Sequence, residues 1–188
     1  MNFRLIHSTC WSHIIHLLSE EVRSEFKTAD RYIFNVKSAL IKSPGRRQEL
    51  LNVLCQHGLT AKLPPVPVLT RWTTWLETGN FHYKNYAAVK EWILNTKEDS
   101  LAIKNLKTLC NKPKLVKQLE KISNICPTIS SVLKKLEGTK CAASSTWGNL
   151  EKINQILETE ELSFSKLNCY MKGSFYYIFN NFLNIFSF

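Results

Sequence analysis

Apolar residues recur at intervals of three and four along most of the chain, and this spacing restricts the fold more than any other feature. Ile14, Leu17, Leu18 and Val22 show it near the start, and Leu115 opens a later example. This spacing places apolar side chains on one face of a helix, whereas a half-buried strand needs strict alternation. No run alternates for long and no Asn-Gly hairpin turn occurs. The predicted fold class is therefore all-α, a multi-helix bundle with room for one short strand at residues 5–7.

Proline and glycine predict several helix boundaries. Ser43 followed by Pro44 predicts a helix start, because proline at the first helical position loses no needed hydrogen bond. That helix is expected to end at Gly58. Residues 63–68 read Leu-Pro-Pro-Val-Pro-Val, which excludes a helix because each proline forces its predecessor into an extended conformation. A stiff connector is predicted there.

Other boundary predictions are drawn from the same residue types. Thr70 is expected to cap a helix that ends at Gly79, and Pro127 is expected to break or kink a later helix. Residues 140–148 are predicted to form a loop. The two aspartates, Asp30 and Asp99, each stand near a predicted helix start, so helix capping accounts for both better than metal binding does.

The chain carries a large positive charge. Lys and Arg number 25 against 15 Asp and Glu, which gives a net charge of +10. A surplus of this size favours a polyanion or an acidic surface as partner. All arginines lie within the first 71 residues, so a specific phosphate site is expected there, with Arg46 and Arg47 as candidates. The lysines at positions 104, 107, 112, 114, 117 and 121 form either a mobile cationic surface or an ordinary solvated helix face.

Cysteine usage and hydropathy bear on the compartment. The cysteines at positions 10, 55, 110, 126, 141 and 169 are widely spaced and include no CxxC pair, so free thiols are predicted. The first residues lack the apolar core of a signal peptide, and no apolar run reaches the ~18 residues that a bilayer crossing needs. A nuclear or cytoplasmic protein without membrane contact is expected.

The spacing of Cys10, His13 and His16 could serve a metal, with Cys55 and His57 as further ligands. A buried thiol and imidazoles that donate hydrogen bonds are the default interpretation, because zinc usually needs four ligands and no second CxxC or HxxxH pair is present, so no metal or cofactor is predicted. The phosphate-loop, nucleophile-elbow and zincin motifs are all absent. No enzymatic activity is predicted.

Residues 70–75, Thr-Arg-Trp-Thr-Thr-Trp, form the most unusual local sequence. Trp72 could stack on an unpaired base while Arg71 holds a phosphate. Alternatively, Trp72 and Trp75 fill the bundle core while Arg71 packs along its surface. Both interpretations stay open from the residues alone.

Two segments in this order resemble the hAT (hobo/Ac/Tam3) transposases and their domesticated relatives. They are Cys10-Trp11-Ser12-His13 through Leu17 and Leu63-Pro64-Pro65 through Leu76, about 55 residues apart. The resemblance implies a ribonuclease-H-like parent whose helical insertion corresponds to most of this chain. It also implies that His13 lies near the parent active site and that Arg71 and Trp72 contact transposon-end DNA.

The chain departs from that family in its acidic residues. Nine residues precede Cys10 and none is acidic, so the first two metal-binding acids of the family have no counterpart. Two-metal phosphoryl transfer requires converging carboxylates. The predicted function is therefore a truncated, non-catalytic hAT transposase-derived protein with residual nucleic-acid binding. The alternative is a helical protein–protein interaction scaffold, which would use exposed apolar faces for a partner or for self-association.

Two regions are predicted along the chain: a helical domain over residues 1–165 and an aromatic tail over 166–188. The end of this tail, from Phe175 onward, holds no charge. It is interpreted either as a helix packed on the bundle or as a non-native end.

Overall fold

A computed structural model describes residues 19–68, 73–97, 100–137 and 143–162. These residues form helices and connecting segments without a β-sheet, which confirms the all-α prediction. The helices are α1 (residues 19–25), α2 (Lys27–Ile41), α3 (Pro44–Gln56), α4 (Thr73–Lys84), α5 (Tyr86–Asn95), α6 (Leu101–Cys110), α7 (Pro113–Glu137) and α8 (Ala143–Thr159). The strand proposed at residues 5–7 and the aromatic tail lie outside the described residues.

The boundaries of α3 follow from local chemistry, as predicted. The Ser43 hydroxyl accepts a hydrogen bond from the Arg46 backbone N–H at 3.3 Å, and Pro44 occupies the first turn. At the other end, Gly58 has a φ of +67°, a left-handed conformation that favours glycine. The connector that follows, residues 59–68, is non-helical, in agreement with its prolines.

The long helix α7 organises the bundle, and its most extensive contact is with α4. At this contact a Cβ atom added to Gly79 would lie 2.5 Å from Cγ2 of Ile122. Gly79 therefore allows the two backbones to approach closely, and α4 continues through it to Lys84. The prediction that Gly79 ends this helix is wrong, because the glycine serves a helix–helix contact rather than a C-cap.

Two further boundary predictions are corrected. Helix α7 is continuous through Pro127, so the predicted break is wrong, although proline removes one backbone hydrogen bond; the predicted kink stays a prediction. Buried Cys126 and Ile129 flank Pro127, so packing on both sides compensates for this loss. Residues 143–148, predicted as loop, belong to α8. Their weak helix propensity is overridden further along α8, where Ile153 and Leu157 are buried and the helix packs on α7.

Helix α2 is tied to its neighbours by polar groups. The Gln118 side chain of α7 accepts a hydrogen bond from the Ala29 N–H at 2.9 Å and donates to the Glu25 carbonyl. It thereby satisfies a donor in the first turn of α2 that has no partner within the helix. The N-cap residue is Phe26, so the prediction that Asp30 caps this helix is wrong; Asp99 lies outside the described residues.

The core is apolar and continuous. Its largest fully buried side chains come from α2, α3, α4, α5, α6 and α7: Trp92, Tyr32, Ile33, Leu50, Leu54, Leu76, Ile93, Ile103, Leu106, Leu115 and Leu119. No helix in the described ranges has the length and apolar character needed to traverse a bilayer.

Candidate functional site

The lysine-rich segment lies at the junction of α6 and α7. We call the surface formed by Lys104, Lys107, Lys112, Lys114 and Lys117 the lysine corner. All of these side chains except Lys107 are exposed; Lys107 is half-buried and its Nζ donates to the Thr96 carbonyl at 3.1 Å. The corner therefore presents several ammonium groups to solvent.

The start of α7 adds to the positive potential of this corner. Lys114 and Lys117 are three residues apart and so share a face of α7, and the first turn contains no acidic residue. The unpaired N–H groups of a helix N-terminus carry partial positive charge. Lys121, one turn further along, is drawn towards α8, where its Nζ donates to the Glu160 carbonyl and lies 3.7 Å from the Glu161 carboxylate. Lys114 and Lys117 therefore stay exposed near the beginning of the helix, and a second exposed pair, Lys134 and Lys135, lies in its last turn.

The two candidate arginines that the structure describes are not on this surface. Arg46 is buried and its Nη1 donates to the Ala39 carbonyl at 3.2 Å, which links α3 to α2. Arg47 is half-buried, and its Nε is buried without a hydrogen-bond partner. Their role in nucleic-acid binding stays a prediction.

The remaining candidates, His13, Arg71 and Trp72, lie outside the described residues. Trp75, their neighbour in the unusual segment, belongs to the core with 2% of its surface exposed. Its indole Nε1 donates to the Asp30 carboxylate at 2.9 Å, and Arg23 Nε donates to the same oxygen at 2.7 Å. Trp75 thus packs as the core interpretation predicted for it.

A cleft lies between α2, the proline connector and α4. Its volume is about 130 Å³, and we call it the α2–α4 cleft. Its described lining comprises Ile33, Val36, Lys37, Leu40, Ile41, Arg47, Leu63, Pro64, Pro65, Val66, Pro67, Thr78 and His82. The exposed Ile41 and Val66 stand at its mouth, and His82 is fully buried.

His82 is an unusual core residue. Neither ring nitrogen has a hydrogen-bond partner, and the ring packs edge-on against Tyr32 and Phe81 at centroid distances of 5.0 and 5.6 Å. Burial lowers the pKa of His82 from 6.5 to about 3, so the ring is neutral at pH 7. A neutral imidazole offers one N–H donor and one acceptor.

The three cysteines that the structure describes are free thiols. Cys55 is exposed, whereas Cys110 and Cys126 are buried, and none of the three is in a disulfide. Burial raises the pKa of Cys110 to about 11 and also raises the pKa of Cys126. Thiols with raised pKa values are poor nucleophiles at pH 7.

Of the candidate zinc ligands, the structure describes only Cys55 and His57. Cys10, His13 and His16 lie outside them, and His57 Nε2 contacts the Glu91 carboxylate at 2.7 Å. Within residues 19–68, 73–97, 100–137 and 143–162, no group of three or more His, Cys, Asp or Glu side chains is placed to hold a metal ion.

No protein-family model, no curated protein and no solved structure matches the chain.

Sequence reasoning missed two residues that matter structurally, His82 and Gln118. A usable signal existed for His82, because Trp75, Gly79 and His82 recur at helical spacing on the buried side of α4. No local signal existed for Gln118, since its hydrogen-bond partner Ala29 is 89 residues away.

Proposed function

We propose that the chain is a non-catalytic, transposase-derived helical module that binds nucleic acid chiefly through phosphate contacts. The observation that supports this best is the lysine corner, where exposed ammonium groups collect beside a helix N-terminus without an acidic residue in its first turn. The net charge of +10 favours the same class of partner. Nuclear and cytoplasmic nucleic acids both fit this proposal.

The transposase origin rests on the resemblance of residues 10–17 and 63–76 to the hAT family. The one aspartate that the structure describes, Asp30, has a structural role, and this is consistent with a non-catalytic protein. Asp30 accepts hydrogen bonds from Arg23 and Trp75, so its carboxylate serves the packing of α1, α2 and α4. Two-metal chemistry would need several carboxylates around one point.

Binding of a labelled DNA hairpin, measured by fluorescence anisotropy across a salt series, tests the proposal. Affinity is expected to fall steeply with salt because neutralised phosphates release counterions. The double variant Lys114→Gln/Lys117→Gln should weaken binding and lower the slope of log affinity against log salt by about 1–2. Lys134→Gln/Lys135→Gln is the matched control, since it removes the same charge from the last turn of the same helix.

Two results would contradict the proposal. One is a lack of binding at ~50 mM salt, where phosphate contacts are strongest. The other is an equal loss of affinity in both double variants, which would reduce the interaction to net charge.

The Trp72→Ala variant tests the stacking hypothesis separately. If Trp72 stacks on an unpaired base, hairpin binding should weaken by ~1–3 kcal/mol, and Trp72→Phe should retain most of the affinity because a ring remains. An unchanged affinity for Trp72→Ala would favour a core position for this side chain.

The alternative, a protein–protein interaction scaffold, is favoured by exposed apolar side chains. Phe34 on α2 and Leu101 on α6 are 64% and 75% exposed. If these residues mediate self-association, light scattering after size exclusion should show an oligomer that Phe34→Ser or Leu101→Ser dissociates. A clean monomer at all concentrations would count against self-association.

A further inference from the structure

The α2–α4 cleft has the size and shape of a small-molecule site. Its volume is about 130 Å³, and in other proteins an apolar cavity of about 150 Å³ takes up a molecule the size of benzene. Ile33, Val36 and Leu40 of α2 form one wall, and Leu63 with the prolines of the connector forms another. An occupant would therefore bury an apolar body of about one ring.

The cleft also holds polar groups without protein partners. His82 is fully buried, and both of its ring nitrogens lack a hydrogen bond. Arg47 Nε is also buried without a partner. Buried polar groups are nearly always hydrogen-bonded, because leaving one unpaired costs about 1–3 kcal/mol. Two such residues lining one cavity indicate an occupant that has hydrogen-bonding atoms of its own.

The charge of the lining determines which occupant is suitable. Arg47 and Lys37 both line the cleft, and no acidic residue of the described chain does. Lys37 Nζ donates to the Pro67 carbonyl at 3.2 Å, which leaves donors of this ammonium group available. Arginine Nε and lysine Nζ are strong donors to a carboxylate. A ligand with one negative charge would match this pair of cations.

We propose that the α2–α4 cleft binds a small apolar monocarboxylate, whose hydrocarbon part fills the space beside α2 and whose carboxylate pairs with Arg47 and Lys37. His82 would offer a hydrogen bond from the buried end of the cleft. This site lies apart from the lysine corner on α6 and α7, and it does not depend on the nucleic-acid proposal. The volume suits a benzoate-sized acid and is too small for a nucleotide.

Isothermal titration and ligand-observed NMR with benzoate, cyclohexanecarboxylate and isovalerate test the proposal on the full chain. At least one of these acids should bind saturably, and benzamide, the neutral counterpart of benzoate, should bind about tenfold more weakly than benzoate. The Arg47→Met variant should lose this preference for the charged ligand. Arg31→Met is the matched control, because Arg31 is an exposed arginine of α2 that does not line the cleft.

A second variant, His82→Phe, keeps an aromatic ring in the cleft and removes both nitrogens. It should stay folded, as judged by circular dichroism, and bind the acid at least threefold more weakly, a modest effect for one neutral hydrogen bond. Three results would overturn the proposal: no saturable binding of any of the three acids to folded wild type, equal loss in Arg31→Met and Arg47→Met, or unchanged binding in both Arg47→Met and His82→Phe. The first result would indicate that His82 and Arg47 are solvated by buried water instead.

Discussion

Helix α4 has two sides that pack in different ways. Towards α7, Gly79 removes the Cβ that would otherwise lie 2.5 Å from Ile122, and Asn80 accepts a hydrogen bond from Ser123 at 2.9 Å. Towards α2 and the connector, Thr78 and His82 border a cavity of about 130 Å³. The side towards α7 has no room for a side chain at Gly79, and the side towards the connector leaves a cavity.

The difference arises from what each side packs against. Helix α7 is a regular surface, so one missing Cβ is enough to bring the two backbones together. The connector is non-helical, and its prolines lack the N–H groups that could bond to α4 or α2. Two hydrogen bonds between described residues hold the connector to α4. Thr78 Oγ1 lies 2.9 Å from the Pro65 carbonyl, and the Val68 N–H donates to Thr74 Oγ1 at 2.8 Å. Close packing therefore needs two regular elements, and a proline-rich neighbour leaves a cleft.

The largest expected effect is a pH dependence of the free energy of unfolding, which arises from His82 on the side of α4 that borders the α2–α4 cleft. The pKa of His82 is about 3 in the folded chain and 6.5 when unfolded, so below pH 6.5 the unfolded state binds one more proton. Stability should therefore fall as pH falls from 6.5 towards 3, by up to about 1.4 kcal/mol for each pH unit from this group alone. Chemical denaturation between pH 7 and about pH 5 measures this, since most carboxylates stay ionised there.

The His82→Phe variant isolates that contribution. Its free energy of unfolding should depend less on pH than that of the wild type. Identical pH profiles for wild type and His82→Phe would show that the cleft side is hydrated enough to accept a charged ring, and the contrast between the two sides of α4 would be smaller than described.

The next largest effect on stability is expected at the contact between α4 and α7. Gly79→Ala should lower the free energy of unfolding by about 1–3 kcal/mol, because the new methyl group overlaps Ile122. In an Ile122→Ala background the same substitution should be neutral or stabilising, since the overlapping atom is gone and alanine favours helix. Urea denaturation of the four chains gives the coupling between the two positions.

Gly148→Ala is the control for that pair. Gly148 also lies within a helix, but nothing stands within 4 Å of an added Cβ. This substitution should stabilise the protein by about 0.5–1 kcal/mol through helix propensity alone. If Gly79→Ala were equally stabilising, α4 and α7 would have to be further apart than the structure places them.

The smallest effect concerns Thr78, which forms one of the two hydrogen bonds that the structure describes between α4 and the connector; the Val68 N–H donates the other to Thr74 Oγ1 at 2.8 Å. The Thr78 hydroxyl lies 2.9 Å from the Pro65 carbonyl and 2.7 Å from the Thr74 carbonyl of its own helix. Thr78→Val removes both contacts and should cost about 0.5–1.5 kcal/mol. Thr108→Val is the control, because the exposed Thr108 hydroxyl donates only to the Lys104 carbonyl of its own helix. Thermal denaturation compares the two. A loss in Thr108→Val as large as that in Thr78→Val would mean that the bond to Pro65 does not hold the connector.

Features decided by neighbouring residues were predicted well. The start of α3 at Pro44, its end near Gly58 and the extended connector all follow from backbone chemistry within a few residues. The predicted helix end at Gly79 is wrong, and α7 does not break at Pro127, because in both cases packing against distant residues outweighs local preference.

In the candidate sites too, local features were predicted from the sequence, whereas features that depend on distant residues were not. The lysine run was recognised from spacing alone, and the structure adds which of its members are exposed. Arg46 was chosen for its chemistry, yet its burial against Ala39 depends on how α3 folds back on α2. The cleft was not predicted, since it joins residues 33–47, 63–67 and 78–82, which only the tertiary fold brings together.

The sequence by itself determined that this chain is helical, that the prolines at 64, 65 and 67 interrupt the helices and that the chain is strongly basic, because periodicity, backbone restrictions and charge are properties of short segments. Only the tertiary structure decided that Gly79 meets Ile122, that Gln118 caps α2 and that His82 is buried without a partner. Each of these depends on the distance between atoms far apart in sequence. That distance is set by the packing of the whole core and is not encoded in any one segment.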